Sequence, residues 1–96
     1  MNIGNYVFKG PYNASQGFNS DFGVIYAIID DESNLIDVGQ TGNINERIPN
    51  HDRKHLWPLH SKGNFHLYIL IENSEQQRLI IESYIRSVFN PPVGDR

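Results

Sequence analysis

An arginine and a histidine stand four residues apart in a polar segment that follows a short apolar stretch. Residues 36–39 read as the end of a strand, residues 40–43 as a polar turn, and Arg47 and His51 follow. On an α-helix, residues four apart share one face, so a guanidinium and an imidazole would point the same way. A planar guanidinium matches phosphate oxygens, so the segment predicts phosphate binding. Pro49 disturbs this helix, because proline cannot donate to the helical ladder and disfavours α conformation at the preceding residue.

Composition limits the classes of function. The chain has 96 residues, 8 Lys plus Arg against 11 Asp plus Glu, a net charge of −3 and no cysteine. This length predicts one domain, and the missing cysteine excludes disulfides, thiolate metal sites and cysteine nucleophiles. The acidic balance argues against tight non-specific nucleic-acid binding by the domain alone. No apolar run approaches the roughly 20 residues of a membrane span, and the N-terminus lacks signal-peptide features. We therefore expect a soluble, intracellular, cytoplasmic domain that does not enter a membrane.

Two domain segments are predicted. Residues 1–22 are rich in Asn, Gly and Ser and are predicted to form an irregular lead-in packed on the domain, with at most a short strand near residues 6–8. Residues 23–96 are predicted to form the domain itself. Residues 51–62 read as a polar, locally basic loop within it.

Hydrophobic patterns predict the elements of this domain. The linker at residues 30–34 is short, which favours an antiparallel hairpin, and Ser74 with Gln77 forms a capping box that begins a helix extending to about Phe89. The order β-β-α-β-α predicts a small α/β sandwich with a three-stranded, mostly antiparallel sheet flanked by helices. Runs rich in β-branched residues predict the strands, at residues 23–29, 35–39 and 65–71. The last helix is predicted to bury a broad apolar face, formed by Leu79, Ile80, Ile81, Tyr84, Ile85, Val88 and Phe89.

Five elements in this order resemble the GIY-YIG nuclease domain family. Each motif is short, but together they cover about residues 22–92 at matching spacing. The elements are Gly23-Val24-Ile25-Tyr26-Ala27-Ile28, Asp37-Val38-Gly39-Gln40-Thr41, Arg47 with His51, Glu82 in the last helix, and Asn90-Pro91-Pro92 after it.

The resemblance implies a divalent-metal-dependent DNA endonuclease, or its catalytic module, that hydrolyses phosphodiester bonds. Mg²⁺, or Mn²⁺ in its place, is the implied cofactor, with Glu82 as its ligand because hard cations prefer oxygen. The implied catalytic residues are Tyr26, Arg47, His51 and Glu82. The candidate substrate-binding residues are Gln40, Thr41, Arg53, Lys54 and Asn90.

Asp37 is the main departure, because the family has a second tyrosine at this position. Tyr26 is then the one motif phenol available to position water or act as a base. Asp37 is itself a second candidate metal ligand: if its strand lies beside that of Tyr26, its carboxylate could share the cation with Glu82. Without a metal, this second acid would repel phosphate.

Alternatives remain open at this point. Glu82 is four residues from both Arg78 and Arg86, so it could be half of an ordinary helix ion pair. The whole chain could be a catalytically impaired domain of this type that binds nucleic acid or protein. The resemblance implies DNA as a partner. Because family members often take target affinity from a second domain, we also expect a partner protein or a homo-oligomer that adds affinity.

Overall fold

Six strands form two antiparallel sheets in the computed structural model, which describes residues 1–94. The small sheet is a hairpin and the main sheet has four strands, in the spatial order β3-β6-β4-β5. Strands β3 and β5 are therefore the edges. The strands are β1 (Asn2–Ile3), β2 (Tyr6–Val7), β3 (Lys9–Tyr12), β4 (Val24–Asp30), β5 (Leu35–Thr41) and β6 (Phe65–Ile71).

The prediction of a three-stranded sheet is wrong, because the N-terminal segment supplies a fourth strand. Residues 1–22 were expected to be irregular, yet β3 pairs with β6 at the edge of the main sheet. Gly10 and Pro11 weaken the strand signal of this segment, and proline is compatible with a strand only at an edge or bulge. The pairing of β3 with β6 shifts register between Lys9 and Tyr12, on either side of these two residues.

Three short or medium-length α-helices lie within residues 1–94. They are α1 (Ile44–Arg47), α2 (Trp57–His60), which continues a 3₁₀ turn over Lys54–Leu56, and α3 (Glu75–Phe89). The predicted capping box is confirmed, since the Ser74 hydroxyl accepts a hydrogen bond from the Gln77 backbone N–H at 3.3 Å. No helix within residues 1–94 has both the length and the apolar character needed to cross a bilayer.

The predicted polar loop over residues 51–62 is partly wrong, because it contains a buried aromatic anchor. Trp57 is fully buried, and its ring lies 4.9 Å from that of His51 and 5.8 Å from that of Phe65. Pro58 at the second position of α2 suits a helix start. This short helix folds the basic segment back against the sheet.

Side chains on the two faces of the sheet form two cores. Strand alternation places Tyr26 and its even-numbered neighbours in β4 on the face covered by α1 and α2, and Ile25 with its odd-numbered neighbours on the face covered by α3 and the N-terminal hairpin. Asp37 and Gly39 pair with Ile28 and Tyr26 across the strands, so they share the face of Tyr26.

The two arginines of α3 are buried more deeply than most of its apolar residues. Of the predicted apolar face only Ile81 and Ile85 are buried, and the others are exposed, namely Leu79, Ile80, Tyr84, Val88 and Phe89. Arg78 and Arg86 are buried instead. The physical reason lies in β5, an edge strand with unpaired backbone groups: Arg86 donates to the Val38 carbonyl, and Arg78 donates to the Gln40 side chain.

Candidate active site

A hydrogen-bonded phenol and imidazole lie at the centre of the site. The Tyr26 hydroxyl is 2.6 Å from Nε2 of His51, and both side chains are buried. Their rings meet edge to face, with centroids 5.3 Å apart. Tyr26 comes from the middle of β4, whereas His51 comes from the turn after α1, so strand pairing and the Trp57 anchor together bring the pair into contact.

The neighbours of His51 determine which ring nitrogen carries its hydrogen. Nδ1 accepts a hydrogen bond from the Arg53 backbone N–H at 3.0 Å, so in the neutral ring the hydrogen is on Nε2. The Nε2–H group then donates to the Tyr26 oxygen, which leaves the phenolic proton free to point elsewhere. The 3.5 Å contact from Nδ1 to the Asp52 carboxylate is not an ion pair in this state.

Burial and nearby arginines act on the pKa values of this pair. Burial lowers the pKa of His51 to about 4, and the positive charges of Arg47 and Arg53 act in the same direction. Burial also raises the pKa of Tyr26, although Arg47 and Arg53 counteract it. At neutral pH the isolated protein therefore holds a neutral imidazole beside a protonated phenol, with two guanidinium groups close enough to favour a phenolate.

Gly39 makes room for the tyrosine. It is the cross-strand partner of Tyr26, and a Cβ atom at this position would overlap the Tyr26 hydroxyl and ring carbon. The glycine of the second motif is thus explained by close packing, since any other residue would displace the phenol.

Arg47 ends a helix of one turn. Asn43 caps α1 by accepting from the Glu46 backbone N–H at 3.1 Å, and the helix ends at Arg47. His51 therefore lies outside the helix, so the predicted shared helix face is wrong, as Pro49 suggested. The two side chains are nevertheless close: Arg47 and His51 each contact the Asp52 carboxylate at 3.5 Å.

Asp37 is fully buried among N–H donors. Its carboxylate accepts from Nε and Nη2 of Arg53 at 3.1 and 3.4 Å, from Nε1 of Trp57 at 2.9 Å and from Nη2 of Arg86 at 3.0 Å. Two donors reach each carboxylate oxygen. A carboxylate offers about four acceptor positions, so a cation at Asp37 would have to displace one of these donors.

Glu82 lies on α3 beside Arg86, which also contacts Asp37. Its side chain is 26% exposed, and its carboxylate lies 3.7 Å from Nε of Arg86. Burial raises its pKa, whereas Arg86 and Arg53 lower it. Of the two predicted helix pairings only the one with Arg86 forms, because Arg78 donates to Gln40 and to the carbonyls of Glu72 and Asn73.

The candidate substrate-binding residues do not form one group in the structure. Thr41 and Arg47 line one cavity of about 300 Å³ beside α1. Arg53 and Lys54 are half-buried at the start of the 3₁₀ turn. Asn90 ends α3 in the left-handed region (φ 51°) and lines a separate cavity with Arg86. Gln40 accepts from Arg78 at 3.0 Å, so its side-chain oxygen is already used within the protein.

Sequence reasoning did not assign a role to two residues that hold the site together. Arg86 and Trp57 both donate to Asp37, but they are 49 and 20 residues away from it in sequence. The signal that could have found them was Asp37 itself, because a carboxylate next to an apolar strand requires buried cationic or N–H partners. Spacing along the chain could not identify which residues these were.

Comparison with known proteins gives one match. The model of the GIY-YIG catalytic domain matches residues 22–94, which include Tyr26, Arg47, His51 and Glu82. No curated protein and no solved structure gives a significant match.

Proposed function

The chain belongs to the GIY-YIG catalytic domain family, and on this premise we propose that it is a divalent-metal-dependent DNA endonuclease or its catalytic module. Membership in the family indicates a nuclease-type function in general, and such nucleases typically use divalent metals. The observation that carries the finer proposal is the 2.6 Å contact between Tyr26 and His51 with two guanidinium groups beside it. The phenol and the imidazole can donate or accept a proton, and the guanidinium groups can bind a phosphate next to them.

Glu82 is the residue we propose to hold the cation. Its carboxylate is partly exposed, and its contact with Arg86, at 3.7 Å, is longer than a hydrogen bond, so its oxygens keep coordination capacity. Within residues 1–94 no group of three His, Cys, Asp or Glu side chains is placed to enclose an ion. A single carboxylate fits Mg²⁺ or Mn²⁺, which keep several waters and bind substrate phosphates. Bound there, the cation would offset negative charge on the scissile phosphate.

Tyr26 is proposed to orient the attacking water. His51 donates to the phenolic oxygen, so the phenolic proton is not used in the contact with the imidazole, and we propose that it meets a substrate oxygen or a water. Because burial raises the pKa of Tyr26, removal of this proton requires additional positive charge near the phenol. A divalent cation held by Glu82 is a source of such charge.

Arg47 is proposed to bind the scissile phosphate, where its charge offsets the charge that develops on the equatorial oxygens. Its side chain is 36% exposed and its pairing with Asp52 is long, at 3.5 Å, so it is available to a ligand. Gln40, Thr41, Arg53, Lys54 and Asn90 are retained as proposed contacts to the DNA. With a net charge of −3, the domain would gain DNA affinity from a partner protein or a second copy.

The second candidate function is a binding module without catalysis. Asp37 favours it, because this residue replaces the second motif tyrosine and provides no phenol. In that case Arg47 and Arg53 would bind phosphates of DNA, and no bond would be cleaved.

Nicking of supercoiled plasmid and branched DNA with Mg²⁺ or Mn²⁺ distinguishes the two functions. We expect wild type to nick, and Glu82→Ala and Arg47→Ala to lose at least about a hundredfold in rate, as is typical of lost charge stabilisation. Lys9→Ala is the matched control for Arg47→Ala, since it removes an exposed positive charge on β3, at the edge of the main sheet opposite β5. Activity that survives both site substitutions would refute the nuclease proposal, and DNA binding without nicking would favour the binding module.

A further inference from the structure

The residue that replaces the motif tyrosine is the centre of a charged cluster. Asp37 is 0% exposed and accepts hydrogen bonds from Arg53, Trp57 and Arg86. A buried carboxylate without partners is costly, so the cluster accounts for how this substitution is tolerated.

The two arginines of the cluster differ in how many of their guanidinium nitrogens already have a partner within the protein. Arg86 directs all three nitrogens inward, to the Val93 carbonyl, to Asp37 and the Val38 carbonyl, and toward Glu82. Arg53 contacts Asp37 through Nε and Nη2 and keeps Nη1 away from it, with its side chain 23% exposed. Arg86 is therefore committed to the fold, whereas Arg53 presents one end to solvent.

Arg53 lies on the same side of the sheet as the proposed reacting groups. Its backbone N–H binds Nδ1 of His51 at 3.0 Å, and its charge acts on Tyr26 and His51 together with that of Arg47. The phenol is thus flanked by two guanidinium groups, and these have different supports: Arg47 is held by a long contact with exposed Asp52, and Arg53 by two contacts with buried Asp37.

We propose that Asp37 is a positioning residue: it fixes Arg53 by a two-point contact so that the free end of the guanidinium binds a DNA phosphate beside Arg47. The proposal rests on the proposed action on DNA and names the role of the residue in which this chain departs from its motif. A guanidinium whose side is held by one carboxylate is preorganised, so less conformational freedom is lost when its other end binds phosphate. Asp37 does not touch DNA in this account.

Binding of a fluorescent DNA duplex, measured by anisotropy without divalent cation at several salt concentrations, tests this role. Each phosphate contact contributes about 0.9 to the slope of log affinity against log salt. We expect Arg53→Gln to weaken binding and reduce this slope by about one, and Asp37→Asn to do the same because Arg53 loses its support. Lys9→Gln removes the same charge at the opposite edge of the main sheet and should leave the slope unchanged.

Two further variants separate positioning from charge and from folding. Arg53→Lys keeps the charge and leaves Asp37 in place but removes the planar fork, so it should still weaken binding severalfold; it carries the test if Asp37→Asn does not fold. The double variant Asp37→Asn/Arg53→Gln should bind no more weakly than Arg53→Gln alone, because residues that act through one another are not additive.

Several outcomes would overturn the proposal. These are wild-type affinity in Arg53→Lys, an unchanged salt slope in Arg53→Gln, a folded Asp37→Asn that binds like wild type, or a wild type that binds no duplex. Nicking, measured separately, decides the proposed function: wild type that binds as expected but never nicks fails as a nuclease while the role of Asp37 stands. Wild type that nicks through Glu82 while the Arg53 variants match it refutes only the role of Asp37.

Discussion

Two carboxylates of the same cluster, Asp37 in β5 and Glu82 in α3, have opposite environments. Asp37 is fully buried, and four N–H contacts occupy its oxygens. Glu82 is 26% exposed, with one long contact to Arg86. Arg86 lies between them and contacts both. The difference shows that the acid at the motif position is built into the fold, whereas the acid on the helix retains capacity for a ligand.

Stability provides the largest expected contrast between the two acids. Asp37→Asn should reduce the free energy of unfolding by about 3–5 kcal/mol, because it leaves the buried guanidinium group of Arg86 and the half-buried one of Arg53 without their counter-charge. Glu82→Gln should change it by less than about 1 kcal/mol, since a partly exposed ion pair contributes little. Urea denaturation of both variants measures this, and equal losses would mean that the two acids are not distinct.

His51 is a buried group that stays uncharged at neutral pH, unlike the two carboxylates. Its pKa in the folded protein is about 4, below the ordinary value of 6.5, so the unfolded chain binds a proton first as the pH falls. The contribution of His51 to the free energy of unfolding should therefore decrease from pH 6.5 to about pH 4, by roughly 3 kcal/mol.

The difference between wild type and His51→Gln isolates this effect. Glu82 has a raised pKa and contributes with the opposite sign near the low end of that window, but it is present in both proteins and cancels. We expect the stability difference to shrink as the pH falls. A difference that stays constant between pH 7 and pH 4 would show that His51 is not held neutral by burial.

Gly39→Ala tests whether the phenol position matters separately from the carboxylates. The added Cβ would overlap the Tyr26 hydroxyl, so we expect a loss of about 1–3 kcal/mol in stability from overpacking, and a fall in nicking rate larger than the folded fraction explains. Stability and nicking are measured on the same preparation. A nicking rate that simply follows the folded fraction would remove Tyr26 from the chemistry.

Ser74→Ala should give the smallest effect. It removes the N-cap of the helix that carries Glu82, which typically costs about 1 kcal/mol. The loss should appear in thermal unfolding, while the nicking rate of the folded protein stays unchanged because the site lies further along the helix. A marked loss of nicking would mean that the position of the Glu82 carboxylate depends on the N-terminus of α3.

Local sequence signals predicted the central strands, the helix that ends at Phe89 and its Ser74 cap, because alternation, apolar runs and capping are properties of neighbouring residues. The edge strand β3 was not predicted, because Gly10 and Pro11 weaken its local strand signal and its partner β6 is far away in the chain. The spacing of the family motifs predicted Tyr26 and His51 as site residues, and the structure shows that the two side chains are in contact.

The environment of Asp37 could not be predicted, because its donors come from two segments that are distant from it in the chain, residues 53–57 and Arg86 in α3. The same holds for α3: its apolar periodicity predicted a buried face, but the unpaired edge of β5 and the Asp37 charge bring Arg78 and Arg86 inward instead. Interactions between distant segments decided both cases.

The Mg²⁺ dependence of the nicking rate tests most directly whether Glu82, and not Asp37, holds the cation. Single-turnover rates would be measured against Mg²⁺ concentration for wild type, Glu82→Asp and Asp37→Asn, each corrected for its folded fraction. The half-saturating Mg²⁺ concentration should rise severalfold in Glu82→Asp, whose shorter side chain withdraws the ligand, and stay at the wild-type value in Asp37→Asn. A half-saturating concentration that shifts with Asp37→Asn and not with Glu82→Asp would contradict this assignment.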